Sequence, residues 1–200
     1  IRLPDMLYAK ILRPPAHGAT LKKADTSAAE KITGVRVVRD GDFVAVLAKD
    51  PDSAGKALSL IQAQYDVPEA TVDDKTIFDH LLKTAPRGEA AAQGGDLSTG
   101  EKESAFTIEK TYLNSYVSHA PIEPHTATAR LEGGKITVWA STQSPFGAKG
   151  QIAQTLGLPE NGVRVITPFV GGGFGGKNNN QQAVEAARLA KLAGQPVQLM

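Results

Sequence analysis

The chain has 200 residues, with 22 Lys+Arg against 21 Asp+Glu, a net charge of +1 and no cysteine. That balance supplies no broad basic field for nucleic acid or an anionic membrane, and without a thiol the chain itself forms no disulfide, Cys-ligated zinc site or iron–sulfur cluster. At 41% hydrophobic and 22% charged the composition is that of a globular chain, length allows about one or two domains, and no apolar run approaches the roughly 20 residues of a membrane-spanning helix.

Met6–Leu12 reads as a strand stopped by Arg13-Pro14-Pro15, since proline fixes φ and lacks the N–H a ladder needs. Asp25 or Thr26 caps a short helix running to Ile32 and ended by Gly34. Val35–Val38 and Phe43–Ala48 read as strands joined by Asp40-Gly41-Asp42, which is hairpin-turn chemistry. Asp50-Pro51-Asp52-Ser53 opens a helix expected to reach about Tyr65, with Ala54, Ala57, Leu58 and Ile61 at helical spacing. Ile77, Phe78, Leu81 and Leu82 mark a short amphipathic helix, and Ala85–Gly95 after it has the composition of a linker. A strand alternation restarts over Ala105–Val117. A hairpin follows, with Thr126–Leu131 and Lys135–Thr142 flanking Glu132-Gly133-Gly134. Phe146–Leu156 reads as a helix ending at Gly157, and Val163–Val170 as a strand. Asn178–Leu192 reads as a helix with Ala183, Ala186, Ala187 and Ala190 on its close-packing side and Gly194 as its stop. Pro196–Met200 begins a further strand.

The stretch Phe169–Asn178 carries the chemistry. Five of its ten residues are glycine, and it lies between a strand and a helix. Glycine lets a ligand touch the backbone, and free N–H groups at such a turn favour anions; the plainer reading is a tight turn with no ligand. Gly171, Gly176 and Lys177 meet the spacing G-x-x-x-x-G-K of a nucleotide P-loop, but Asn178 stands where magnesium chemistry needs a hydroxyl. Gly171, Gly173 and Gly176 meet G-x-G-x-x-G, but the next strand carries no acidic residue for a ribose. His119, Glu123 and His125 are spaced H-x-x-x-E-x-H; Pro121 and Pro124 break any helix that would align them, so a structural role is expected. Lys177 is expected in solvent at a helix start, with a phosphate as the alternative partner.

The run Gly171–Lys177, GGGFGGK, resembles the molybdenum hydroxylase family of xanthine dehydrogenase and aldehyde oxidase. His119-Ala120-Pro121-Ile122-Glu123-Pro124 and Ser141-Thr142-Gln143-Ser144-Pro145 agree with it in order and spacing, and their wording is most similar to large subunits of the isoquinoline 1-oxidoreductase type. The N-terminal third resembles the family's small α/β hammerhead domain. The fold expected is therefore α+β: a hammerhead-like domain over 1–83, a linker over 84–103, and the first part of a molybdopterin-binding domain over 104–200.

The resemblance implies a molybdenum–molybdopterin cofactor and hydroxylation of a carbon with oxygen from water. It places Gln143 on an oxo ligand of the metal and the Phe174 N–H on its other ligands, with Gly173 and Gly175 beside the cofactor. Asn178 falls where purine-oxidising members carry a substrate-orienting Glu, which turns the expectation to N-heteroaromatic or aldehyde substrates. The family's general-base glutamate is expected beyond Met200, so the chain reads as a fragment of a longer subunit, inactive alone. Iron–sulfur clusters are expected on a small [2Fe–2S] electron-transfer partner, since this chain has no cysteine. A bacterial periplasmic or cytoplasmic location suits the resemblance equally. A nucleotide-binding module and a non-enzymatic interaction domain stand as the alternative functions.

Overall fold

The structure, a computed structural model, describes all residues Ile1–Met200. The chain forms β1 (Leu7–Ile11), β2 (Thr20–Asp25), α1 (Ser27–Glu30), β3 (Arg36–Asp40), β4 (Phe43–Ala48), α2 (Pro51–Ser59) and β5 (Gln62–Asp66). Then come α3 (Ile77–Thr84), α4 (Leu97–Glu103), β6 (Ala127–Glu132), β7 (Lys135–Ala140), α5 (Pro145–Leu156), β8 (Val163–Ile166), α6 (Gln181–Ala193) and β9 (Val197–Leu199). Two compact units result, one of residues 1–68 with 118–200 and the other of 69–117. No helix is long and apolar enough to cross a membrane.

The first unit is built on a seven-stranded mixed sheet of order β3-β4-β1-β9-β6-β7-β8, beside a two-stranded sheet of β2 and β5. The last strand of the chain is the central one: β9 runs parallel to β1 and antiparallel to β6. Strand β4 shows why the sheet is covered on both faces. Its alternate residues Val44 and Val46 join Ala29, Ala57 and Ile61 in one core, while Ala45 and Leu47 join the core under α6. Side chains two apart share a face, so a strand buried on both sides is apolar throughout.

Helix α6 lies against β6, β7 and β9 through Ala183, Ala186, Ala187 and Ala190, all fully buried. Three arginines fasten it to the N-terminal strands. Arg36 donates to the last carbonyls of α6 at Leu192 and Ala193, Arg188 stacks on Phe43 at 4.4 Å and bonds Asp40, and Arg13 bonds Glu185 of α6. The Gly194 cap is left-handed, as the stop signal implied.

Six expectations need correction. The helix expected to reach Tyr65 ends at Ser59; residues 62–66 form β5, paired with β2, a strand the sequence reading had missed. The run Gln62-Ala63-Gln64-Tyr65-Asp66 alternates in exposure with period two, which a helical count through Ile61 overran. The segment 105–117 forms no strand, although it alternates: Phe106, Ile108, Tyr112 and Tyr116 are exposed, and a strand exists only where a neighbour completes its ladder. The linker contains α4, nucleated by Asp96, whose carboxylate accepts the Ser98 and Thr99 N–H groups. Strand β8 stops at Ile166 and α6 starts at Gln181, because the glycine run extends the loop on both sides. The boundary expected at 84–103 does not separate two folded units, because the N-terminal strand β1 pairs with β9 in one sheet.

Replacing Ala186 with leucine forces extra volume into the closed seam between α6 and the sheet. The substitution should lower stability by about 1–3 kcal/mol, read as a shift of the denaturant midpoint at unchanged slope.

Candidate functional site

Three segments meet at the end of the sheet: residues 119–125 entering β6, residues 141–144 between β7 and α5, and the glycine run between β8 and α6. Ser141 and Thr142 are buried directly after β7, which directs Gln143 toward the glycine run. The two segments hold each other reciprocally. Gln143 N donates to the Lys177 carbonyl at 2.9 Å, and Lys177 N donates back to Gln143 Oε1 at 3.3 Å. Gly175 N donates to the same Oε1 at 3.0 Å. Two N–H groups on one oxygen fix the orientation of the carboxamide: Oε1 faces the loop, and the NH₂ is left free to donate elsewhere.

Gly173 lies against this carboxamide so closely that a Cβ there would collide with Gln143 Oε1 and come within 2.8 Å of Cδ. The next residue, Phe174, has φ +55 and a largely exposed ring. A left-handed backbone at a non-glycine residue costs about 1–3 kcal/mol and persists only where its surroundings impose it. The N–H groups of Gly172, Gly173 and Phe174 donate to no protein group.

Behind the loop sits an ion pair. Lys177 is fully buried, and its Nζ donates to Glu123 Oε2 at 2.6 Å. The same oxygen accepts Gly171 N at 2.7 Å and Ser141 Oγ at 2.9 Å. His125 Nε2 lies 3.1 Å from the Gly176 carbonyl, and the His119 ring packs against Gly175 and Gly176. Thr142 Oγ1 donates to Asn180 Oδ1 at 2.6 Å and accepts Ser144 N, joining the segment after β7 to the start of α6.

The structure thus brings together Gln143, Gly173, Phe174 and Gly175 and leaves Asn178 exposed, two residues before α6 begins with Asn180 as its cap. It corrects the reading of Lys177, which is buried and paired, neither in solvent nor available to a phosphate. Burial of an ammonium demands an anionic partner, and Glu123 supplies it. Glu123, for which a structural role is expected, and Lys177, expected in solvent, are paired with each other, and that pairing is what the sequence did not show. The one signal was a lysine closing a run of small residues, with a lone carboxylate in a motif already in register.

Residues 83–200 match the molybdopterin cofactor-binding domain family. The chain belongs to this family. Among curated relatives it is 31% identical to the aldehyde oxidoreductase molybdenum-binding subunit PaoC of Escherichia coli (strain K12), over 92% of this chain and 25% of that protein. It is 28% identical to the nicotinate dehydrogenase large molybdopterin subunit of Eubacterium barkeri, over 98% of this chain and 55% of that one. The chain spans about a quarter of the length of the first of these relatives. Among solved structures it superposes on quinoline 2-oxidoreductase from Pseudomonas putida 86 with a TM-score of 0.74 at 22% identity, covering all of this chain and 31% of that one. The aldehyde oxidoreductase from Desulfovibrio gigas gives 0.75 at 19% identity, over 97% and 26%. Identities this low establish the shared fold.

The Lys177 ammonium, hydrogen-bonded to its carboxylate, holds Glu123 below its ordinary value of 4.5; partial burial opposes this, and the Gly171 N–H and Ser141 hydroxyl add to the lowering. A folded-state value below the unfolded one means that the unfolded chain binds the extra proton. The contribution is therefore complete above the ordinary value and is lost as pH falls through it toward the lower folded value. Stability measured by denaturant between pH 7 and pH 3 should fall below about pH 5 more steeply in the native chain than in Glu123→Gln, with His119 and His125 unchanged in both.

Proposed function

We propose that this chain holds the pyranopterin-bound molybdenum of an oxidoreductase that hydroxylates a carbon of an N-heteroaromatic or aldehyde substrate with oxygen drawn from water. The observation that carries the reading is the oriented Gln143 carboxamide, its NH₂ unpaired, held by the loop that carries the unpaired N–H groups of Gly172, Gly173 and Phe174. These donors fit an anionic, oxygen-bearing group. They are neutral and cannot displace the metal's own ligands, and the missing Cβ at Gly173 lets the loop backbone close onto the Gln143 carboxamide.

When bound, the cofactor supplies the two-electron redox chemistry that no side chain of this protein offers. The chain's own part is to bind and orient. Gln143 donates through Nε2 while its Oε1 stays locked to Gly175 and Lys177. The Phe174 N–H offers a second donor from a backbone held in the left-handed region. Asn178, exposed at the loop's end, can both donate to and accept from a substrate but cannot take its proton. Glu123 is assigned no general-base role: Lys177 and two further donors already hold its Oε2 within the scaffold behind the loop. A chain without cysteine passes its electrons elsewhere, and we assign them to a small [2Fe–2S] electron-transfer subunit. The P-loop alternative lacks its lysine, since the Lys177 ammonium is committed to Glu123.

The test is metal content in protein made by a host that synthesises the cofactor. Wild type should purify with about one molybdenum per chain, and Gln143→Ala or Gly173→Ala should retain less by about tenfold or more at an unchanged unfolding midpoint. A folded wild type that purifies without molybdenum refutes the reading.

A further inference from the structure

The glycine run is a loop whose two ends are held by a single atom. Gly171 opens it and Lys177 closes it, and Glu123 Oε2 accepts the N–H of the first at 2.7 Å and the ammonium of the second at 2.6 Å. Ser141 Oγ, at 2.9 Å from the same oxygen, adds the segment that carries Gln143. All three site segments therefore converge on one carboxylate, which itself touches none of the free donors.

Local sterics agree with this. A Cβ at Gly171 would lie 2.8 Å from Glu123 Cβ, so the loop's first residue is glycine because the glutamate is packed on it. Lys177 is tied down inside the protein through three groups: N to Gln143 Oε1, carbonyl to Gln143 N, and Nζ to Glu123. Its ammonium has no access to water and one anionic partner. Without that partner a buried charge is uncompensated, and the low-cost relief is for the residue to swing outward, opening the loop at its C-terminal end.

We propose that Glu123 is the positioning residue of the glycine loop, a buckle that closes residues 171–177 and thereby fixes the Gln143 carboxamide and the free N–H groups of Gly172–Phe174 as one rigid array. The array's use rests on the cofactor reading above; the buckle itself does not. Preorganised donors bind without the cost of ordering them at each encounter, and five glycines among the seven loop residues would otherwise make that cost high.

Amide hydrogen exchange on the full chain without cofactor tests this. In Glu123→Gln, the amides of Gly175 and Lys177 should exchange about tenfold faster or more, while those of α6 and β7 keep their native protection. Lys177→Met, which fills the same buried space but removes the ammonium that ties the loop to Glu123 Oε2, should loosen the same two amides, by less than Glu123→Gln because no buried charge is left to escape, and gives the reading if Glu123→Gln proves too unstable. Unchanged protection of the two loop amides overturns the proposal. So does acceleration of all amides together, which would make the pair a contributor to global stability and nothing more. Molybdenum content of the same two variants, expressed in the cofactor-producing host, should drop in step with loop protection. A wild type devoid of molybdenum would count against the cofactor reading while leaving the exchange result to decide the buckle.

Discussion

The ammonium of Lys177 has one anionic partner, and the architecture of the site follows from where that partner sits. Glu123 approaches from the segment before β6, Lys177 from the far end of the glycine loop, and Ser141 from the end of β7. A charge removed from water must be paired and hydrogen-bonded, and a broken pair costs more than an intact one contributes. The pair is thus a constraint on assembly more than a source of stability. Only the arrangement with all three segments in place satisfies it, and that arrangement brings Gln143 to Gly175.

The scaffold behind the site is arranged to hold those segments still. Strand β9 lies at the centre of the sheet although it is last in the chain, so the return of α6 locks β6 to the N-terminal strand β1. The alanines of α6 let it lie close on that sheet, and Arg13, Arg36 and the Asp40 partner of Arg188 fasten it from the other end of the sequence. The glycine loop leads into this fastened helix through the turn at Gly176–Asn178. A flexible composition is therefore strung between rigid supports, as a binding loop on a scaffold should be.

How much of this was legible depended on the range of the interaction. The hairpins β3–β4 and β6–β7 and the glycine-capped ends of α5 and α6 are written in neighbouring residues, and they formed where the turn and cap signals placed them. The glycine loop and Gln143 were visible as motifs in register. Strands β2 and β5 were hidden because each exists by virtue of the other, some 40 residues away, and neither has a strong pattern alone. The converse error came at 105–117, where alternation without a partner gave no strand. The ion pair was invisible for the same reason. A lysine beside glycines looks solvated until the fold brings a carboxylate from 54 residues away.

The two halves of the site divide the electrostatic work. Within the three site segments, full charges are confined to the Glu123–Lys177 pair behind the loop, where they offset each other, while Gln143, Gly173 and Phe174 offer only neutral dipoles. A lysine pointing forward would have attracted any phosphate or carboxylate in the cell, and its long-range pull would not distinguish among them. Fixed neutral donors act over hydrogen-bond distances, so they select by shape and by the placement of acceptor oxygens. Turning the lysine inward and spending its charge on loop closure gives the site order without indiscriminate attraction. That arrangement accounts for a GK sequence that imitates a P-loop on paper and yet leaves no cation where a nucleotide would need one.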